Sequence, residues 1–340
     1  RPPYLLIDRV IRVEPDPCVL KPDGWIEAEC DVDPDAWYFK AERTPAAPIS
    51  IMLEIALQPC GWLAAYMGSA LHSQKDLKFR NLGGSATLYE EVHPDAGTLT
   101  VNTRLTNASE AADMIIEHFE FEVMQLNRKI YAGNTYFGFF TREALARQEG
   151  IRNAVKQAYA PAPEEIREHF SHEFVDHAPL EPEDPNIDPT DSLARPAKAI
   201  RMIDRIEAYI PAGGPHGFGF IRGIKTVDPQ DWFFQAHFYQ DPVCPGSLGI
   251  ESFIQLLKFM ARERWPHLKN SHRFGLVTEA QHTWIYRGQI IPENKIVTVE
   301  AGITKIQQEP TPCIWADGYL KVDELHIYRM ENFGIRLVPI

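Results

Sequence analysis

The feature that most restricts what this chain of 340 residues can fold into is an internal repeat, with the second half echoing the first at an offset of about 195 to 198 positions. Leu6-Ile7-Asp8-Arg9-Val10 answers Met202-Ile203-Asp204-Arg205-Ile206, and Trp37-Tyr38-Phe39 answers Trp232-Phe233-Phe234. Further along, Leu53-Glu54 answers Ile250-Glu251, Leu88-Tyr89 answers Ile285-Tyr286, Ile130-Tyr131 answers Ile327-Tyr328, and Phe137-Gly138 answers Phe333-Gly334. Matches kept in this order imply two copies of one unit, each large enough at about 150 residues to bury its own core. The first unit is placed at residues 1–147 and the second at 196–340. Residues 148–195 between them carry Pro161, Pro163, Pro179, Pro182, Pro185 and Pro189 among acidic residues, which is the composition of a linker. A short helix is expected within Ile151–Tyr159, before Pro161 stops it.

Each unit contains one segment with the length and start signal of a long helix, Pro48–Ala70 and Pro245 to about Trp265. Proline at or near the first turn is tolerated because its missing N–H would be unpaired there anyway. Apolar residues surround the first helix on nearly every side over Ile49–Leu57, so it is expected to be buried, and a polar residue on it needs a reason. The remainder alternates β-branched and aromatic residues with polar ones, as in Thr98–Leu105, Ile115–Val123 and Ile296–Ile303, and predicts antiparallel strands. One leading strand, a buried helix and about four long strands make an α+β unit, a helix wrapped by a curved sheet. Two such units in tandem would pair as a pseudo-dimer.

Composition narrows the function. With 47 acidic and 34 basic residues the formal charge is −13, which disfavours a general attraction to nucleic acid or to anionic lipid. Cys18, Cys30, Cys60, Cys244 and Cys313 form no C-x-x-C pair, a pattern that suits reduced thiols in the cytoplasm better than a disulfide framework or a thiolate zinc site. No long uninterrupted apolar run or signal peptide is evident, so neither membrane span nor secretion is expected. The start at Arg1, without Met, suggests a segment of a longer polypeptide.

The chemistry concentrates in Trp232-Phe233-Phe234-Gln235-Ala236-His237-Phe238-Tyr239-Gln240-Asp241-Pro242-Val243-Cys244-Pro245-Gly246-Ser247-Leu248-Gly249-Ile250-Glu251. It sets a histidine just before a buried helix and a carboxyl inside that helix. This run resembles the motif of the bacterial β-hydroxyacyl-ACP dehydratase family of hotdog fold: an aromatic run, His-Phe, Asp-Pro-Val, Pro-Gly, then Leu-Gly and an acid. The tandem arrangement is similar to the paired dehydratase domains of polyunsaturated fatty acid synthases. The resemblance covers both halves, the second more strongly, and implies a double hotdog. It also implies dehydration of a 3-hydroxyacyl thioester carried by an acyl carrier protein, with other domains of a multidomain synthase as neighbours.

Dehydration needs a base for the C2 proton and an acid for the departing hydroxyl. His237 suits the base, because imidazole titrates near neutrality. A carboxyl on a buried helix has a raised pKa and can keep a proton to give. The first turn of the helix after Pro245 offers free N–H groups to an enolate oxygen, with Gly246 allowing close approach. In the family the histidine of one unit works with the acid of its partner, which here implies His237 with Glu54. The reciprocal site, Glu42 with Glu251, has a glutamate where His237 stands, a shorter following loop, and Ile49 in place of Gly246, and is expected to be inactive. Gln58 and Gln255, one turn after each acid, are placed to orient the carboxyls. No metal or cofactor is required.

Other features carry blander readings. Phe233, Phe234 and Phe238 read as core. His169, His172 and His177 have metal-like spacing but sit in the acidic linker without a second cluster and read as solvated. Gly213–Gly219 lacks the P-loop pattern and reads as a hairpin turn, and Ser247 lacks the G-x-S-x-G elbow of a serine hydrolase. Arg262, Arg264 and Lys269 after the second helix are a candidate docking face for an acidic carrier. Two rival functions remain open: a thioesterase of the same fold, and a non-catalytic module that binds acyl chains. Acyl length, enoyl isomerase activity and pairing into a homodimer are left open as well.

Overall fold

The computed structural model describes residues 1–72, 75–111, 114–162, 164–165, 172–173 and 191–340, with positions 72, 111, 172 and 173 described as backbone only. The first repeat runs β1 (Arg9–Glu14), β2 (Trp25–Asp31), a short helix α1 (Trp37–Glu42), the long helix α2 (Ile49–Tyr66), then β3 (Lys78–Leu88), β4 (Thr98–Ala111), β5 (Met114–Gln125) and β6 (Arg128–Phe140). A two-residue strand β7 (His172–Glu173) precedes the second repeat. That repeat has β8 (Arg205–Ile210), β9 (Phe220–Thr226), α3 (Trp232–Ala236), α4 (Gly246–Arg264), β10 (His272–Leu276), β11 (Gln281–Tyr286), β12 (Ile296–Gln307), β13 (Cys313–Val322) and β14 (Leu325–Pro339).

All strands pair antiparallel in one sheet of order β1-β2-β4-β5-β6-β3-β11-β14-β13-β12-β9-β8-β7, with β10 beside β14. Apart from β7 and β10, the order reads alike from either end, as the repeat demands, and the two units meet where β3 pairs with β11 (Thr87 opposite Gln281, Gly83 opposite Ile285). Two strands lead each unit rather than the one expected. In the first, Pro15, Pro17 and Pro22 break what would have been a single run. The Gly213–Gly219 stretch joins antiparallel β8 and β9, with Gly214, Gly217 and Gly219 at positive φ, so the hairpin-turn reading holds.

Alternation on β5 sends Ile115, Phe119, Phe121 and Val123 inward and leaves His118, Glu120 and Glu122 exposed. These inward side chains close over α2, whose Ile51, Met52, Leu53, Ile55 and Ala56 are at most 1% exposed. Burying each larger side chain contributes about 1.5–3 kcal/mol, which is why a helix apolar all round is stable only here. The stretch Ile49–Leu71 is apolar and long enough to cross a membrane, yet it lies largely buried inside the sheet. In the second unit Gly249 lets α4 approach the sheet, since a Cβ there would fall 2.6 Å from the Tyr328 ring. Within the expected Ile151–Tyr159 segment the helix is a single turn at Ala154–Gln157, narrower than the expectation. The described linker residues nonetheless pack: Ile151 N–H donates to His326 O at 2.8 Å, and Ala154 and Leu193 are buried.

Candidate active site

Each of the two long helices holds the acid of the other across the pseudo-twofold axis through a reciprocal hydrogen bond. Ser247 in the first turn of α4 donates to Glu54 Oε1 of α2 at 2.7 Å. Its counterpart, Ser50 in the first turn of α2, donates to Glu251 Oε2 of α4 at 3.3 Å. The glutamines repeat the symmetry. Gln58 Nε2 donates to Glu54 Oε2 (3.2 Å) and to Tyr4 O (2.8 Å), while its Oε1 accepts from Leu6 N (2.9 Å). Gln255 Nε2 likewise donates to Glu251 Oε1 (3.4 Å) and Ile200 O (2.9 Å), and its Oε1 accepts from Met202 N (2.8 Å). Each glutamine thus ties the entering chain to the helix and turns its remaining N–H to the acid. Tyr4 completes the first site, with its hydroxyl 2.9 Å from Ser247 Oγ.

Glu54 is 7% exposed, and burial raises its pKa against the opposing effect of the Ser247 and Gln58 hydrogen bonds. A polar residue on the buried helix therefore has a reason, namely a carboxyl held in a buried, hydrogen-bonded niche. His237 follows α3 directly, with its backbone N–H bonded to Phe233 O (2.9 Å). Its ring Nδ1 lies 3.0 Å from Val243 O, and Val243 N–H returns a bond to His237 O (2.9 Å). A carbonyl can only accept, so Nδ1 carries the proton and a neutral ring keeps its lone pair on Nε2. Burial, with Arg80 nearby, lowers the imidazole pKa to about 4. No direct hydrogen bond or ion pair joins His237 to Glu54 among the described residues; the Val243-to-Ser247 segment links them, bonding the histidine at one end and the glutamate at the other.

Gly246 opens α4 and is half-buried. A Cβ at this position would make only ordinary contact, 3.6 Å from Tyr286, so packing within the protein does not demand glycine. The helix start leaves first-turn N–H groups without helical partners. Phe233 and Phe234 are core, but Phe238 is 37% exposed and departs from the core reading, because its turn projects from the fold with Tyr239.

The reciprocal site is filled. Glu42 ends α1 at the position of His237, and Lys258 of α4 makes a close ion pair with it while lying 3.7 Å from Glu251 Oε1. All three are buried. Burial pushes the Glu42 carboxyl up to about 7 despite the ammonium. Lys258 was legible as a single cation in the apolar run Leu256-Leu257-Lys258-Phe259-Met260, a signal the sequence reasoning left unused. The same reasoning missed Ser247 and Ser50 as acid-holding residues, and it missed Arg80, whose partners lie in the other repeat.

Arg262 and Arg264 lie in the last turn of α4, about 24 and 27 Å along the helix from Gly246, and Lys269 follows. Arg262 is already paired with Asp191 at 2.6 Å. His169 and His177 lie outside the described residues, as does the side chain of His172. The open surface recesses include one of about 500 Å³ lined by Trp25, Asn102, Arg104 and Glu122 on the outer sheet face, and it holds neither His237 nor Glu54.

A doubled helix-in-sheet unit whose helices each bond the other's acid is the double hotdog, and the chain belongs to the FabA-like domain family, whose pattern matches residues 1–134 and 195–331. The resemblance to the hotdog dehydratase family is thereby borne out. Over 326 residues it is 31% identical to a polyunsaturated fatty acid synthase polypeptide of Thraustochytrium sp., a match covering 92% of this chain and 22% of that much longer protein. Among solved structures, one described as a putative oleoyl thioesterase from Lactobacillus plantarum aligns with TM-score 0.51 at 11% identity, over 94% of this chain and 97% of the other. The dehydratase domain from the CurJ module of curacin polyketide synthase aligns with TM-score 0.47 at 14% identity, over 98% and 97%. At 11% identity the thioesterase likeness describes fold alone.

Proposed function

We propose that this double hotdog dehydrates 3-hydroxyacyl thioesters to trans-2-enoyl thioesters, with His237 as base and Glu54 as acid. The reading is carried by one observation: opposite repeats deliver a neutral imidazole and a buried carboxyl with raised pKa to the two ends of the Val243–Ser247 segment. His237 Nε2 removes the C2 proton. The C2 electron pair forms the C2–C3 double bond as the C3–O bond breaks, and Glu54 protonates the departing hydroxyl to give water. The imidazolium and carboxylate left behind return to their neutral forms by net proton transfer. The first-turn N–H groups at Gly246 receive the thioester oxygen as negative charge grows on it. The kinship with a polyunsaturated fatty acid synthase supports delivery on an acyl carrier protein within a multidomain synthase. Glu42, Glu251 and Gln255 form an inactive second site, whose place for a base is taken by an ion pair.

The test is turnover of a 3-hydroxyacyl thioester by the wild type, His237→Ala, Glu54→Gln and Glu251→Gln, scored by mass spectrometry for enoyl thioester and free acid. Loss of enoyl product in the first two variants and its survival in the third is expected. Free acid from the wild type would mark a thioesterase. An inert wild type would point to an acyl-binding module, and a lethal Glu251→Gln would move the acid to within one repeat.

A further inference from the structure

Arg80 of β3 is 6% exposed and belongs to the first repeat, yet it spends its bonds on the second. Its Nη1 and Nη2 grip Asp241 in a fork at 2.7 and 2.9 Å, and Nε and Nη2 donate to Gln289 Oε1 at 3.1 and 2.9 Å. The remaining donor, on Nη1, goes to Phe79 O at 2.9 Å. All five guanidinium N–H groups are therefore used, in the planar geometry that a lysine cannot supply. Asp241 closes the turn after the histidine: Phe238 N–H donates to Asp241 O at 2.9 Å, and Asp241 N–H returns to Phe238 O at 3.3 Å. Gln289 sits beside Ile290, whose carbonyl accepts from Cys244 N–H at 2.9 Å. The clamp thus holds the His237 turn at both ends.

The chain contains its own control for whether this clamp serves the fold or the histidine. On β3, Arg80 pairs with Gly138; in the second repeat it is Val277 whose N–H bonds to the matching Gly334 O. Arg80 is therefore replaced by Val277 at the reciprocal site. The loop after Glu42, Arg43-Thr44-Pro45-Ala46-Ala47-Pro48, has no acid to match Asp241. The same hotdog unit therefore folds without the arginine, without the aspartate and without the histidine, and keeps all three together at one site.

From this we propose that Arg80 is a positioning residue for the reaction, supplied by the first repeat to fix the turn that presents the second repeat's His237. The proposal rests on the dehydration reading for its kinetic consequence but not for its structural one. The charged groups bearing on the imidazole are Arg80 from β3, Asp241 from its own turn and the amino group of Arg1.

The experiment compares Arg80→Lys, Arg80→Met and Arg80→Met/Asp241→Leu with wild type by kcat, KM, melting temperature and an NMR titration of the His237 ring. In Arg80→Met, loss of the nearby cation and misplacement of the turn should lower kcat about 10- to 100-fold with KM within about twofold. Its His237 titration should move upward, toward the ordinary range near 6.5. Arg80→Lys keeps the charge but not the fork, so its titration should stay low while kcat falls part of the way. The double variant removes both charges, and should regain melting temperature but not kcat. Full kcat in the well-folded double variant, or an unmoved His237 titration in Arg80→Met, would overturn the proposal. Should the wild type prove inert on every thioester, the dehydration reading fails and the titration alone decides the role of Arg80.

Discussion

Ser247→Ala is the substitution that most directly probes how the Glu54 carboxyl is held. The Ser247 hydroxyl lies 2.7 Å from Glu54 Oε1 and stabilises the carboxylate against burial. A hydrogen bond to a charged group is worth about 1.5–3 kcal/mol, part of which survives when the acid is protonated. A net loss of about 1.4 kcal/mol from the charged form corresponds to about one pKa unit. The direction is fixed by the chemistry: with less support for the carboxylate, Glu54 keeps its proton to higher pH. For an acid that must be protonated to work, the rate falls as pH rises through its pKa. The basic limb of the kcat profile should therefore move up by about one unit, measured with a 3-hydroxyacyl thioester between pH 5 and 10. Ser50→Ala is the matched control, because Ser50 holds Glu251 in the reciprocal site and should leave that limb in place. A basic limb that stays fixed or moves down in Ser247→Ala would refute Glu54 as the proton donor.

Three further outcomes follow from buried charges. His237, lowered to about 4, should give kcat/KM an acidic limb near that pH rather than near 6.5, so that activity persists through pH 5; a limb at 6.5 would show the imidazole to be solvated in the free enzyme. Glu117 is fully buried with Oε2 unpartnered, and burial raises it to about 7. Between the unfolded value near 4.5 and that figure the folded state binds the extra proton, so stability falls as pH rises through this window. Glu117→Gln should raise the melting temperature at pH 8 while leaving it unchanged at pH 4, and equal melting shifts at both pH values would contradict the assignment. Lys258→Met strands Glu42 and Glu251 and should destabilise by about 3–5 kcal/mol in urea unfolding. Adding Glu42→Leu should recover much of that loss, and additive penalties would show that the pair is not coupled.

How much of this was legible in the sequence depends on how far apart the partners lie. The repeat placed both long helices and paired Glu54 with Glu251, because matched order survives weak identity. Alternation predicted β5, and helical spacing predicted the Gln58–Glu54 contact, since residues one turn apart meet on a helix face. Ser247 stayed hidden because its partner is 193 residues away, and Arg80 because Asp241 is 161 away. No local period encodes such contacts. They arise only once β3 meets β11 and the helices cross, and the second leading strand was lost because prolines disguised it as loop.

The symmetric halves end with unequal sites for an electrostatic reason. Folding the repeat buries a carboxylic acid on each helix, and a buried carboxylate without a counter-charge costs several kcal/mol. The chain answers this differently on the two sides of the axis. Beside Glu251 it places the Lys258 ammonium, which also takes the Glu42 that stands in for histidine, and the result is a buried ion cluster with a carboxyl where the other site has an imidazole. The position matching Lys258 on α2 is Gly61, which offers no charge to Glu54. Glu54 is bonded instead to the neutral donors Ser247 and Gln58, and burial raises its pKa against their effect and that of the Arg1 amino group, which on the proposed mechanism favours the proton-donor form. On the proposed mechanism, Gly61→Lys, whose Cβ would fall 3.2 Å from the Phe79 ring and must push it back slightly, is expected to favour the Glu54 carboxylate and lower dehydration in a protein that still melts cooperatively. Full turnover in that variant would show that proton retention by Glu54 is not what separates the two sites.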